Sequence, residues 1–402
     1  MNAEIAENIL KMELSGSLDK YKILIIGNHN SIFIYNYSKV LKSNYPEAQI
    51  TILSLDSETA NFDYFEYGIT LLIPNKGLKR DNFFIIRFFH FLRSLGKILR
   101  KYNDSYFDII HIHYYVYYIA LLKSAFLHCG KKIVISIWGS DFYKAKKRHI
   151  AIQKILLPSV ARISFSNPKT REAFLERFGI KYEKVSTICR FGLFPLDELQ
   201  KIEHTSKTKA KQLLGIEENK IAITCGYYAN RIFQHVRIIR QIRQLPEELI
   251  KRIVLIFPFT YGDRSVYALA VEKEAKEARI PFFSFRQQLN DERIALLRKA
   301  SDILIHLPFS DQFSGTMQEY IYADNAIISG KWLPYEPLEE KGIKLIKIGC
   351  VDELLPTLQE TINHIDKYRF TNNCNKKAIM ELSSWQANFP KWVKFYTERS
   401  GQ

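Results

Sequence analysis

The chain has little cysteine and no pattern in it. Its five cysteines, Cys129, Cys189, Cys225, Cys350 and Cys374, are odd in number and include no Cys-x-x-Cys pair. Neither a disulfide framework nor a zinc site is expected, and a reducing, cytoplasmic setting fits. No apolar run reaches the ~18 residues of a spanning helix, so any membrane contact is expected to be peripheral. The opening stretch MNAEIAENILKMELSGSLDK is acidic and broken by polar residues, unlike the basic and then apolar layout of a secretory leader. The three-glycine dinucleotide fingerprint is missing after the first strand, which argues against a tightly held nicotinamide or flavin. Internal repeats and low-complexity segments are also missing.

What is present is an ordinary globular composition, 47% hydrophobic and 25% charged over 402 residues, enough for two domains with sound interiors. Lys and Arg exceed Asp and Glu by 58 to 42, a formal net charge of +16. That favours anionic partners: nucleotides, nucleic acid or acidic membrane surfaces. No nucleic-acid-binding motif accompanies the charge.

Apolar runs bounded by turns predict strands at Lys22–Ile26, Gln49–Leu55, Ile69–Ile73, Phe107–His113, Lys132–Ile137 and Ala161–Ser166. A second series follows at Lys220–Cys225, Val254–Pro258, Phe282–Phe285, Ile303–Leu307, Ala326–Ser329 and Lys344–Ile348. Helical stretches alternate with them, so the expected class is α/β with two Rossmann-like domains. The polar, basic segment Lys201–Lys211 suits a hinge between them. Residues 1–193, 194–385 and a terminal aromatic helix at 386–402 are the expected divisions.

The stretch Arg80–Tyr102 sorts its side chains by face at 100° per residue. Phe84, Phe88, Phe91, Leu92, Leu95, Ile98 and Leu99 share one half-circle; Arg87, Arg93, Lys97, Arg100 and Lys101 share the other, with Phe83 and Ile86 straying onto the basic side. Either the apolar face is core, or the helix lies on an anionic bilayer.

Polar groups gather where strands end. His113 closes one strand, and Trp138, Gly139, Ser140 and Asp141 follow the next, at the edge where α/β proteins place their sites. His113 is either an interior histidine or a catalytic one; Asp141 is either a turn or cap residue or an acid/base group. Gly27 and Asn28 end the first strand. Gly226, Asn230, Arg231 and His235 follow the Lys220–Cys225 strand, with Arg231 and His235 spaced to meet one anion. Tyr261 sits in a glycine turn that either borders a ligand or is an ordinary turn. The most informative stretch is SDILIHLPFSDQFSGTMQEYIYADNAIISG, Ser301–Gly330. It reads as strand, polar turn, helix and strand, with Gln312, Ser314, Gly315 and Thr316 opening the helix and leaving free N–H groups for an anion. Glu319 is either a ligand to something bound there or the far member of a Thr316-x-x-Glu319 capping box.

These residues resemble the GT-B glycosyltransferases, specifically family 4-like enzymes, in which an acidic residue, seven others and a glutamate bracket a glycine at a helix start. The matching positions are Gln312, Gly315 and Glu319, with Gln in place of the first acid. The resemblance implies that Glu319 holds the donor ribose and that Gly315 lets the backbone approach a diphosphate, aided by Arg231. It also implies an acceptor site in the N-terminal domain and a terminal helix that crosses back to that domain. IWGSDFY resembles the branch that transfers 4-acetamido-4,6-dideoxygalactose in enterobacterial common antigen, with Trp138 where many relatives carry histidine. That branch implies a polyprenyl-diphosphate-linked acceptor. The expected function is transfer of a sugar from a nucleotide sugar to a glycan or lipid-linked saccharide in cell-surface polysaccharide synthesis. No Asp-x-Asp pair occurs, so no metal and no other cofactor is expected. The alternatives are a nucleotide-sugar 2-epimerase of similar form and a non-catalytic nucleic-acid-binding protein.

Overall fold

The computed structural model describes residues 18–56, 58–74, 84–369 and 373–398; at Phe84, Ile85, Arg87, Asn373 and Cys374 it describes the backbone alone. The chain forms two compact units. One holds the described residues up to Phe191 and those from Asn388 onward; the other runs from Gly192 to Ala387.

The first unit is built on a seven-stranded sheet of β1 (Lys22–Gly27), β2 (Gln49–Ser54), β3 (Thr70–Leu72), β4 (Ile109–His113), β5 (Ile133–Ile137), β6 (Arg162–Phe165) and β7 (Ser186–Ile188). Its order is β3-β2-β1-β4-β5-β6-β7, and every pairing is parallel. The second unit contains β8 (Ile221–Cys225), β9 (Ile253–Phe257), β10 (Phe282–Ser284), β11 (Ile303–His306), β12 (Ala326–Gly330) and β13 (Ile346–Ile348). They are ordered β10-β9-β8-β11-β12-β13, again all parallel. The strands are continuous apolar runs because helices cover both faces. In each sheet the order reverses beside the first strand of the unit, between β1 and β4 and between β8 and β11, which opens a crevice at the carboxyl ends.

The expected α/β class with two Rossmann-like sheets is the class found. Of β7 the sequence shows only a strand-to-loop exit at Ile188; its three residues are half-buried, too few and too polar for an apolar run to mark the strand. The hinge expected at Lys201–Lys211 is corrected. Helices occupy Phe194–Lys201 and Lys207–Leu214, and the lysines are anchors. Lys207 Nζ donates to Ser301 O at 2.6 Å and Ala323 O at 3.1 Å, and Lys211 Nζ to Asp302 Oδ2 at 2.7 Å. Ammonium groups that satisfy strand and helix carbonyls inside a domain hold a segment still, whatever its composition.

The amphipathic segment forms a helix at Phe84–Leu99. Phe91, Leu92, Leu95 and Leu99 are buried in the first unit's core, with Phe88 and Ile98 packed partly against it. Each fully buried side chain contributes roughly 1.5–3 kcal/mol, which fixes the helix by its apolar face. Ile86 and Phe89 remain exposed, Phe89 by 64%, on a surface that also exposes Arg93, Lys97, Arg100 and Lys101. Residues 80–83 of that segment lie outside the described residues. No helix among the described residues is long and apolar enough to cross a membrane. The helix Trp385–Thr397 starts in the second unit and ends in the first, where Trp392 Nε1 donates to Arg190 O at 2.9 Å.

Candidate functional site

Each unit gathers polar side chains at the carboxyl edge of its sheet. In the first, β1 ends at Gly27, where a Cβ would come within 2.1 Å of Ile34 Cδ1; the exposed Asn28 accepts from Asn30 N–H at 2.8 Å. The parallel register sets His111 and His113 of β4 against Val134 and Ser136 of β5. His111 is a satisfied core histidine, 2.7 Å from both Tyr396 Oη and Ser136 Oγ. His113 is fully buried against Tyr37, Trp138 and Phe191, and neither ring nitrogen has a partner among the described residues. Burial holds its imidazole down to about 3, so it is neutral and a weak proton acceptor near neutral pH. The interior reading fits it better than the catalytic one.

Asp141 lies in the short helix Ser140–Tyr143 that follows β5. Its Oδ1 accepts from Trp138 N–H at 3.0 Å and Gly139 N–H at 2.8 Å, and its Oδ2 from Tyr115 N–H at 2.7 Å. The carboxylate thus ties the loop after β4 to the loop after β5. Burial pushes its carboxyl up to about 6 against the pull of those N–H groups, which places it in range of general base chemistry near neutral pH. It lines a cavity of about 180 Å³.

In the second unit, Gly226 follows β8 at φ 60, a left-handed conformation suited to glycine; a Cβ there would lie 2.8 Å from His235 Nε2. Asn230 caps the turn that follows, its side chain accepting from Ile232 N–H at 3.0 Å, and Arg231 is exposed. The pairing of Arg231 with His235 on one anion is corrected. Gln234, at φ 57, separates a 3-10 turn at Arg231–Phe233 from the helix His235–Ile242. His235 is buried between Tyr267 Oη and Cys225 O, at 3.1 Å from each. Two helical segments broken by a left-handed residue do not share a face, and Arg231 alone faces outward. Tyr261, half-exposed, stacks on Tyr228 with ring centroids 4.5 Å apart.

β11 delivers His306, which is fully buried, to the polar turn. Asp311 Oδ2 lies 2.7 Å from His306 Nε2 and accepts from Tyr335 Oη at 2.5 Å; Gln312 N–H donates to Asp311 Oδ1 at 2.7 Å. Burial alone would raise the Asp311 carboxyl, but these donors hold it below its usual range. Asp311 was passed over in the sequence, and the signal was available. Six residues separate Gln312 from Glu319, so an acid, seven others and a glutamate place the acid at Asp311, and the supposed exchange to Gln disappears. Phe313 follows at φ 112, a strained conformation for a side-chain-bearing residue, of a kind that clusters at ligand-binding turns.

The helix Gly315–Tyr322 is capped by Ser314, whose Oγ accepts from Met317 N–H at 3.3 Å. Of the two readings of Glu319, the Thr316–Glu319 capping box is therefore not the cap found. A Cβ on Gly315 would fall 2.6 Å from Leu193 Cδ2, so close packing alone already requires glycine there. Glu319 is buried, and its Oε2 accepts from Arg298 Nε at 2.9 Å, while Arg298 Nη1 donates to Tyr320 Oη at 3.0 Å. Burial raises the Glu319 carboxyl and Arg298 restores only part of the shift. Arg298 sits on the helix Asp291–Ala300 beside Lys299, where two adjacent bases near a helix end read as a solvated pair, so nothing in the residue pattern marks it.

Residues 22–167 match the family described as Glycosyl transferase 4-like. No relative is found among curated protein sequences. Solved structures with the same fold include a sucrose-phosphate synthase from Thermosynechococcus elongatus, at 11% identity and TM-score 0.71 over 94% of this chain and 98% of that one. Anabaena HepE in complex with UDP-glucose aligns at 13% identity and TM-score 0.67, over 93% of this chain and 98% of that one. A Burkholderia xenovorans trehalose-phosphate synthase in complex with glucose-6-phosphate aligns at 12% identity and TM-score 0.66, over 92% of this chain and 100% of that one.

The buried pair yields a direct prediction. Arg298→Met leaves the Glu319 carboxylate without its counter-charge and is expected to cost about 3 kcal/mol near neutral pH. Because burial raises the Glu319 carboxyl, protonation relieves the cost as pH falls, so urea denaturation should show a smaller deficit at mildly acidic pH. A deficit that does not change with pH would mean that Glu319 is not the group left exposed to the loss.

Proposed function

We propose that the chain is a glycosyltransferase of GT-B architecture, a reading supported by the family match over residues 22–167 and by the fold, and that it moves a sugar from a nucleoside diphosphate donor, bound in the second unit, to a glycan or lipid-linked saccharide, bound in the first. The observation that carries the donor assignment is the turn of Asp311–Ser314 opening onto the helix Gly315–Tyr322 at the carboxyl end of β11. Its first N–H groups point out of the helix start with their dipole toward an anion. As the glycosidic bond to the donor breaks, negative charge grows on the departing diphosphate. Donors fixed beforehand stabilise that charge more in the transition state than in the ground state. The exposed Arg231 adds a guanidinium, and the scheme invokes no metal. Glu319, held by Arg298, would take the donor ribose, and the stacked Tyr228 and Tyr261 offer flat apolar faces.

On the acceptor side, Asp141 is the proposed base. One of its oxygens, Oδ2, accepts a single N–H, and the group lines a cavity. A lipid-linked acceptor, as in the branch that IWGSDFY resembles, would be met at a bilayer, and the exposed Ile86 and Phe89 beside Arg93, Lys97, Arg100 and Lys101 suit a peripheral contact with anionic lipid. The expected role is in cell-surface polysaccharide synthesis.

Three measurements test these assignments. One of UDP, GDP, TDP and ADP is expected to raise the Tm of the full chain by a few degrees through mass action, and Arg231→Ala to reduce that shift; four unmoved melting curves remove the donor site. For Asp141, the base is the ionised form, so kcat should rise with pH through about 6 and level off above it. Asp141→Asn should lower kcat by roughly 10²–10⁴ and abolish that limb; a limb that persists in the variant assigns the proton to another group. Finally, co-sedimentation with anionic vesicles should fall when Phe89→Asp is introduced and when salt is raised. Equal binding to neutral vesicles contradicts the membrane contact.

A further inference from the structure

The cavity at the carboxyl edge of the first sheet has a lining that its neighbours in the fold do not explain. It holds about 180 Å³ and is bounded by Tyr114, Tyr117, Ser140, Lys144, His149 and Gln153, besides Asp141. Three features of its wall point to a ligand. Gln153 is 3% exposed; its Nε2 is committed to Tyr115 O at 2.7 Å, while its Oε1 is buried with no partner among the described residues. A buried amide oxygen left unpaired costs roughly 1–3 kcal/mol, so a wall that carries one is complementary to a donor that arrives from outside. Tyr117 and His149 lie flat on each other, centroids 4.0 Å apart and planes within 7°, an apolar platform of the kind that takes the face of a sugar ring.

The third feature is charge. Lys144 is in the lining, and Lys146, Lys147 and Arg148 are exposed on the adjoining turn and helix start. The one acid in the wall, Asp141, has its carboxylate turned onto three backbone N–H groups. Partial burial first, and then the charges of Arg148 and Lys146, hold the His149 imidazole below its usual range, as expected in a positive field. Tyr114, at φ 59, places its Oη 3.0 Å from Ser140 Oγ.

We infer that this cavity is the acceptor-recognition site and that it selects a saccharide carrying a phosphate or diphosphate, with Lys144 holding the anion and Gln153 Oε1 accepting a sugar hydroxyl. The inference rests on the glycosyltransferase reading and names the class of its acceptor. Two sources supply that chemistry, a soluble glycosyl phosphate and a polyprenyl-diphosphate-linked sugar. Both present the anion beside the ring, so the same lysine and the same amide serve either.

The test is calorimetric titration of the full chain with the glycosyl phosphates of glucose, galactose, mannose and N-acetylglucosamine, with the corresponding free sugars, with inorganic phosphate, and with the undecaprenyl-diphosphate-linked sugars in detergent. At least one phosphorylated sugar should bind tenfold or more tightly than its uncharged form and than inorganic phosphate. Lys144→Ala, a change at an exposed side chain, should remove most of that advantage, and Lys144→Arg should retain it. Gln153→Met should weaken the sugar phosphate while leaving inorganic phosphate unchanged. Preference for the undecaprenyl-linked form names a membrane source; equal binding names a soluble one. Free sugars that bind as tightly as their phosphates, inorganic phosphate that binds as tightly as any of them, or Lys144→Ala indistinguishable from the parent each overturns the inference. A nucleoside diphosphate thermal shift measured on Lys144→Ala keeps the two readings apart. Its survival alongside lost phosphate selectivity leaves the donor site intact; its absence in the parent chain removes the transferase reading whatever the cavity binds.

Discussion

Parallel strands have to be joined by crossovers, and that requirement decides where chemistry can sit in this protein. Every strand of a unit runs the same way, so every strand ends at one edge, and the residues that follow those strands are brought together although they are far apart in sequence. β4 and β5 bring His113 and Asp141 to one edge of the first unit; β8, β9 and β11 bring Gly226, Tyr261 and Asp311 to one edge of the second. Hydrogen bonds then fix the loops at those edges. Asp141 stitches two loops together through three N–H groups, and Asp311 joins a strand end to Tyr335 through His306.

The buried polar groups divide by what satisfies them. His111, His235, Lys207, Lys211 and Asp302 are paid in full by partners within their own unit and keep the scaffold rigid. His113 and Gln153 Oε1 are not satisfied in this way, and both lie toward the carboxyl edge of the first sheet.

Much of this architecture was legible in the sequence because parallel strands buried on both faces are nearly uninterrupted runs of Ile, Val and Leu, and such runs are hard to mistake. The Phe84–Leu99 helix was legible too, since Phe91, Leu92, Leu95 and Leu99 recur at helical spacing. The site was less so. His235 follows Arg231 by one nominal turn, yet Gln234 in a left-handed conformation breaks the helix between them, and no propensity marks a glutamine for that. Lys207 and Lys211 looked like a solvated hinge because composition says nothing of the carbonyls that three distant segments bring to them. Arg298 was hidden for the same reason: two adjacent bases give no hint that one of them turns inward onto Glu319. Asp311 differs, since counting back from Glu319 finds it.

The account stands or falls on whether donor cleavage is coupled to transfer. The most direct measurement is mass spectrometry of the products formed by the full chain from a panel of nucleotide sugars with and without phosphorylated sugars or undecaprenyl-diphosphate-linked sugars as acceptors. The account predicts one nucleoside diphosphate released for each glycosylated acceptor formed, with little release when acceptor is withheld. Nucleoside diphosphate appearing together with free monosaccharide, at a rate that no acceptor changes, would contradict it and would favour an epimerase.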